Sequence, residues 1–456
     1  MMATAPNPYG DPVNRPRTAV AIAEPLAAAA AAVLATLPVW RMGWLRDDWF
    51  LLWQAVDPAT APPGAAGVFP RPAAALLWSA SAALAGDRPW AMHGLIVLTW
   101  AVLAWAALRW HRACGGRAAG AVVVLAVLLL HGALVEPRLW AAAGNGVLAA
   151  ALGLGGALAL HRARGLAGRA LGLALVAVAA LARADAVVLL LLPLATAPAG
   201  GRWRGRWLAA VFVLGLLALA AMRLYGGSWA LRPADGGRLL RLLVLPWGPP
   251  LPGTAAAAAG VAGLLAALAG GRLLLSAAPR TGAFLLAAGA VAAAGSAVDW
   301  APSGRYVLAP AVLLALAAGS WWDGLARTAW PRPARLAAQG AVIGWIAVSL
   351  AAVAAGRTAA DLHRRSLAET GLYRALRAEL PLPRDHLTVI DPPPLGWTDS
   401  AADLENIASA AARRPVSVTV GAGDAHDIAF PVAVWRHGAW TVWTGRVPGL
   451  ANPESR

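Results

Sequence analysis

Arg46-Asp47-Asp48-Trp49-Phe50 puts two adjacent carboxylates just beyond the first long apolar segment, an Ala-rich run from about Thr18 to Pro38. At roughly 20 residues that run is long enough to cross a bilayer. Arg15 and Arg17 precede it as they would in a signal peptide, but no cleavage site separates it from the acidic pair, so it is read as a membrane helix. Ionisable groups beside hydrocarbon are expensive and are functional-site hypotheses by default. The rest of the chain is tested against that idea.

Composition agrees with a membrane protein. Over 456 residues, 59% are hydrophobic and 13% charged, with a mean hydropathy of +0.61, far from a soluble globular balance. The net charge of +16 is carried entirely by residues 1–356, which hold 27 Arg against 11 acids; the remainder has eleven of each. There is no lysine, and the arginines fall in short clusters between apolar runs, as the positive-inside rule requires. Clusters such as Arg202 to Arg206 therefore read as topology determinants touching lipid headgroups and not as a nucleic-acid patch. The single cysteine, Cys114, has no intrachain partner.

Hydropathy predicts about eleven transmembrane helices over 18–356, after a cytoplasmic tail of residues 1–17 and with a first outer loop at 41–89. The expected spans begin near Thr18, Trp90, Ala118, Trp140, Ala170, Ala186, Trp207, Ala255, Thr281, Tyr306 and Leu336. Arg71 to Leu84 is apolar but short and reads as a re-entrant or interfacial helix; Arg238 to Leu243, with leucines and arginines at helical spacing, reads as interfacial. On this topology sixteen of the 27 arginines lie inside, whereas Asp47, Asp48, Asp57, Asp87, Glu136, Asp185, Asp235 and Asp299 lie outside. Scarce acids on one face imply outward-facing chemistry. After Gly356 the sequence turns polar. A helix through Leu380, a strand at Leu387 to Asp391, a helix around Ser400 to Ala411 and strands near Val416 to Val420 and Ala433 to Trp443 predict a small α/β domain, 357–456, on the outer side.

In this order the features resemble the GT-C superfamily, membrane glycosyltransferases that use polyprenyl-phosphate sugars, among them protein O-mannosyltransferases and aminoarabinose transferases. The resemblance rests on Arg46-Asp47-Asp48-Trp49 in the first outer loop, Phe69-Pro70-Arg71-Pro72 through Gly86, and Trp90 to His93. Val135-Glu136-Pro137-Arg138-Leu139-Trp140 to Asn145 and Ser303-Gly304-Arg305-Tyr306 complete it; together they span most of residues 20–320 in short, degenerate motifs. The resemblance implies an inverting transferase, and a composition with arginine but no lysine and abundant alanine looks like that of a high-GC bacterium, so a bacterial cytoplasmic (inner) membrane is expected. The donor would be a polyprenyl-phosphate sugar and the acceptor a glycan, lipid or protein.

Such a reaction needs a carboxylate to take the acceptor's proton and cations to receive the leaving phosphate. The resemblance offers Asp48 or Asp47 as the base, with a slight preference for Asp48. Neighbours on a helix point about 100° apart, so both cannot play one role; the second orients the base, binds acceptor or holds a divalent metal such as Mg or Mn. Arg305, Arg71 and Arg138 are the phosphate-binding candidates, and Tyr306, His93, Glu136, Trp49 and Asp185 the substrate-binding ones. Each has a structural alternative: outer helix ends carry such charges for solubility or mutual pairing, His93 has no second ligand at metal spacing, and tryptophans anchor helices at the interface. A secondary transporter or lipid flippase is the competing class, but the acid-free stretches Pro137–Ala184 and Gly236–Val298 lack the buried charges it needs. A catalytically inactive GT-C-like scaffold is a third reading, one that would tolerate loss of both aspartates.

Overall fold

The computed structural model describes residues 17–57, 59, 72–163, 165–183, 189, 192, 308–326, 330–355, 357–390, 392–393, 401–421, 431–436 and 439–444. Eight helices occupy the first part: α1 (Arg17–Thr36), α2 (Asp47–Val56), α3 (Pro72–Ala85), α4 (Trp90–Ala113), α5 (Ala118–Leu130), α6 (Val135–Leu139), α7 (Gly144–Arg162) and α8 (Leu166–Ala182). Then follow α9 (Leu308–Leu325), α10 (Arg332–Ala355), α11 (Arg357–Ala378) and α12 (Ala401–Ala412), with strands β1 (His386–Ile390), β2 (Ser417–Gly421), β3 (Val432–Arg436) and β4 (Ala439–Trp443).

Among the described residues four helices are long and apolar enough to cross a membrane: Ala23–Arg41, Trp90–Ala113, Gly144–Arg162 and Leu308–Leu325. Shorter apolar helices lie at Ala73–Ala85, Ala118–Leu130 and Leu166–Ala182. The spans expected from Trp207, Ala255 and Thr281, and the interfacial helix at Arg238, lie outside the described residues.

These helices pack as neighbours: α1 on α4, α7 on α8 and α5 on α9 run antiparallel, and α4 and α7 run parallel, with Arg162 donating to the Arg109 carbonyl where their C-terminal ends meet. Where they cross, glycines let backbones approach, as small residues do in membrane bundles: a Cβ on Gly156 of α7 would stand 2.8 Å from the Gly172 carbonyl of α8. One end of the bundle is tied by charges. Glu24 accepts from Arg112 at 3.0 Å and pairs with Arg109 at 3.5 Å. The buried Asp323 of α9 lies 3.1 Å from His111 Nε2 and accepts the N–H groups of Arg117 and Gly120 at the start of α5, where the helix dipole favours an anion.

The C-terminal elements form an α/β unit. Its sheet has the order β2-β1-β3-β4, with β1 parallel to β2 and β3, and β3 antiparallel to β4. Leu404, Ile407, Ala408 and Ala411 bury one face of α12 beside the sheet, and Trp440 Nε1 donates to the Ala368 carbonyl, which locks β4 onto α11. What was expected as one strand region from Ala433 to Trp443 is the β3–β4 hairpin.

Candidate active site

The acidic corner forms where the chain leaves α1 through a short 3-10 turn (Leu37–Arg41) and enters α2. Arg46 caps α2 with φ +50°, in the left-handed region that a non-glycine residue adopts only when its surroundings over-determine it. Asp47 and Asp48 occupy the first helical turn, where carboxylates are favoured by the dipole.

The two carboxylates have different environments. Asp48 is 1% exposed; its Oδ2 accepts the Leu45 N–H at 2.9 Å and its Oδ1 accepts the Ala142 N–H at 2.6 Å. It thereby fastens the corner to the turn between α6 and α7. Trp140 Nε1 adds a bond to the Leu45 carbonyl at 3.0 Å, and the Arg46 guanidinium lies 5.6 Å from the Trp140 ring centroid, within cation–π range. Burial pushes the Asp48 carboxyl well above the usual carboxylate range; the two backbone donors partly offset this, while the neighbouring Asp47 and Glu369 charges add to it. Asp47, one residue earlier, remains partly exposed.

The other side of the corner is held by α11. Glu369, fully buried, accepts the Arg46 N–H at 2.7 Å and the Trp49 Nε1–H at 2.9 Å through Oε2, and Arg365 Nε at 2.6 Å through Oε1. Arg365 continues the chain of charges to Asp403 of α12. Ser366 Oγ accepts the Gly43 N–H at 3.2 Å, and the Trp49 ring stacks on Tyr373 with centroids 4.7 Å apart. Glu369, Arg365 and Tyr373 were not singled out from the sequence. Their signal was the i,i+4 spacing of Arg365 and Glu369, which reads equally well as a solvated helical pair.

The other expected site residues divide. Arg138 is turned to the backbone: its buried guanidinium donates to the Leu129, Leu134 and His131 carbonyls, closing the end of α5. Trp49 is fully buried, with its ring stacked on Tyr373 and its N–H donated to Glu369 of α11. His93 is buried on α4 with its ring 6.5 Å from Trp44 and 6.4 Å from Trp40, and its Nε2 has no hydrogen-bond partner among the described residues; this is a packing environment. Glu136 is half-buried on α6, the helix that leads into the Trp140–Ala142 turn beneath Asp48. Arg71, Asp185, Arg305 and Tyr306 lie outside the described residues.

Both Asp48 oxygens hold backbone N–H groups in a buried clamp that turns its carboxylate toward Leu45 and Ala142, while Asp47 stays partly exposed. No group of three or more His, Cys, Asp or Glu converges among the described residues.

No protein-family model matches this chain, and no curated protein matches it. Among solved structures, ArnT from Cupriavidus metallidurans in the apo state matches it with a TM-score of 0.52, over 88% of this chain and 86% of that one, at 16% sequence identity. The chain shares the fold of that ArnT structure.

Proposed function

We propose that this protein is a membrane glycosyltransferase that moves a sugar from a polyprenyl-phosphate donor to an acceptor hydroxyl with inversion. Asp47 is the base and Asp48 the residue that holds it in place. The observation that carries this reading is the division of labour at the corner: a partly exposed Asp47 beside an Asp48 clamped by Leu45 and Ala142. The ArnT-like fold supports it.

In the reaction the acceptor O–H bond breaks and its proton passes to the Asp47 carboxylate. The freed oxygen attacks the anomeric carbon from the face opposite the phosphate, and the bond to the phosphate oxygen breaks with its electron pair. The leaving polyprenyl phosphate needs a guanidinium; with Arg138 committed to backbone carbonyls, Arg305 and Arg71 are the proposed ligands. Tyr306, Asp185 and Glu136 remain proposed substrate contacts. We place the reaction on the outer face of a bacterial cytoplasmic membrane, in agreement with the clustering of acids in the outer loops. Residues 357–456 are proposed as an outer domain, since α11 is bonded to the same corner and so lies on the same side as the first loop.

The test is transfer of radiolabelled sugar from polyprenyl-phosphate donors in membranes holding equal amounts of wild type, Asp47→Asn and Asp48→Asn. Asp47→Asn should abolish transfer and lower stability by no more than about 1 kcal/mol, the scale of a carboxylate in the first turn of a helix. Asp48→Asn should lower stability, since one backbone N–H would then face an amide N–H; an unsatisfied buried donor costs about 1–3 kcal/mol. Full transfer by Asp47→Asn would remove it as the base.

A further inference from the structure

Where α2 passes between the α3–α4 turn and the C-terminal unit, a cleft of about 220 Å³ opens beside the last turns of α2. Its floor is apolar, lined by Leu52 and Trp53 of α2. Its rim carries four polar groups from three separate elements: Asp87 of the α3–α4 turn, Tyr373 and Arg377 of α11, and Arg413 just past α12.

We propose that this cleft is a subsite for an anionic pyranose, a sugar ring bearing a phosphate or carboxylate, belonging to the acceptor; the acceptor assignment rests on the glycosyltransferase reading above. The volume is below the roughly 300–1,000 Å³ of pockets that take drug-sized molecules, which suits a single ring. Tyr373 and Arg377 are four residues apart on one helix and so share a face. The Tyr373 hydroxyl donates to Asp87 Oδ2 at 3.1 Å, leaving the other Asp87 lone pairs to accept from sugar hydroxyls. Arg377 donates to the Ala411 carbonyl at 3.3 Å, which brings its guanidinium to the end of α12 beside Arg413. Two forked cations there match a phosphate or carboxylate.

The bland alternative is that both arginines simply complement the C-terminal dipole of α12. It accounts for the charges but not for the residue chosen. Arg413 has φ +54° at the position after the helix, where glycine is the default and a side chain carries a strain cost. Nor does it account for the Asp87–Tyr373 pair across an apolar floor. Among the described residues neither guanidinium is in a salt bridge, whereas the adjacent Arg414 pairs with Asp385 at 2.9 Å.

The test is binding of glucose 6-phosphate, glucuronate, inorganic phosphate and methyl glucoside to the purified full chain in detergent, read by saturation-transfer NMR and calorimetry. Wild type should bind glucose 6-phosphate, glucuronate or both more tightly than either methyl glucoside or inorganic phosphate. Which of the two it prefers distinguishes phosphate from carboxylate. Arg413→Gly should weaken that binding at least tenfold without lowering the melting temperature, because glycine fits the left-handed position; Arg377→Gln should weaken it as well. No binding by wild type, equal binding of the neutral glycoside or of phosphate alone, or unchanged binding in both variants would overturn the proposal. The assay needs neither donor nor transfer. Intact binding in a protein that transfers no sugar would therefore count against the enzyme and not against the cleft.

Discussion

Glu369, itself fully buried, accepts the backbone N–H of Arg46, 323 residues away in the chain, at 2.7 Å. The same carboxylate takes Trp49 Nε1 and Arg365 Nε, so one side chain joins the strained entry to α2, the aromatic stack on Tyr373 and the charge chain to Asp403. Removing one partner of such a buried pair leaves the other charge uncompensated, typically at a cost of about 3–5 kcal/mol. Glu369→Ala should therefore lower stability by about 3 kcal/mol or more. Glu369→Gln should cost less, since its carbonyl can still accept one N–H. Denaturation of the purified protein in detergent checks both, and equal stability of wild type and Glu369→Ala would refute the role.

The pH dependence follows from Asp48. Because burial raises its folded-state pKa above the ordinary aspartate value of about 3.9, the native state binds a proton that the unfolded chain has released. Its contribution to stability is complete below that ordinary value and is lost as pH rises through the raised one. The stability of wild type measured against Asp48→Asn, which does not titrate, should accordingly fall from pH 4 upward. A constant difference, or one growing with pH, would contradict the buried environment.

Most of the element positions were legible because each rests on a local period. The apolar runs, the helix through Leu380 and the strand from Leu387 were placed within a few residues of α4, α11 and β1. The division between Asp47 and Asp48 was not. Adjacency on a helix says that the two must differ, but the N–H that claims Asp48 belongs to Ala142, and nothing local to residue 48 points there. The carbonyl partners of Arg138 were illegible for a related reason: a lone arginine at an outer helix end looks the same whether it meets a phosphate or three carbonyls. Glu369 was invisible because its partners Arg46 and Trp49 lie on another element.

Gly43 packs tightly where the first loop meets α11. A Cβ there would meet Thr370 Oγ1 at 2.1 Å and the Ser366 carbonyl at 3.0 Å. Gly43→Ala should separate the two elements and weaken the Ser366 bond, at about the 1–3 kcal/mol of overpacking. Thr370→Gly in the same chain should recover most of the loss, because it removes the nearer obstacle. If the double variant melts no higher than Gly43→Ala alone, the contact is not the one that matters.

At the opposite end of the bundle the fold depends on another close approach. A Cβ on Gly319 of α9 would meet the Gly120 carbonyl of α5 at 2.6 Å, and a Cβ on Gly120 would meet the Asp323 carboxylate at the same distance. Either alanine drives α5 and α9 apart and pulls Asp323 from the Arg117 and Gly120 amides it caps. Each should therefore cost more than packing strain alone, above about 1–3 kcal/mol. The double variant should lose less than the sum, since the helices need separate only once and neighbouring sites do not add. Gly155 of α7 supplies the control: nothing lies within 4 Å of its Cβ position, so Gly155→Ala should hold or raise stability by up to about 1 kcal/mol through helix propensity. Denaturation of the four variants in one detergent reads all of this together. Similar losses at Gly155 and Gly319 would mean that helix flexibility, and not the α5–α9 approach, accounts for these glycines.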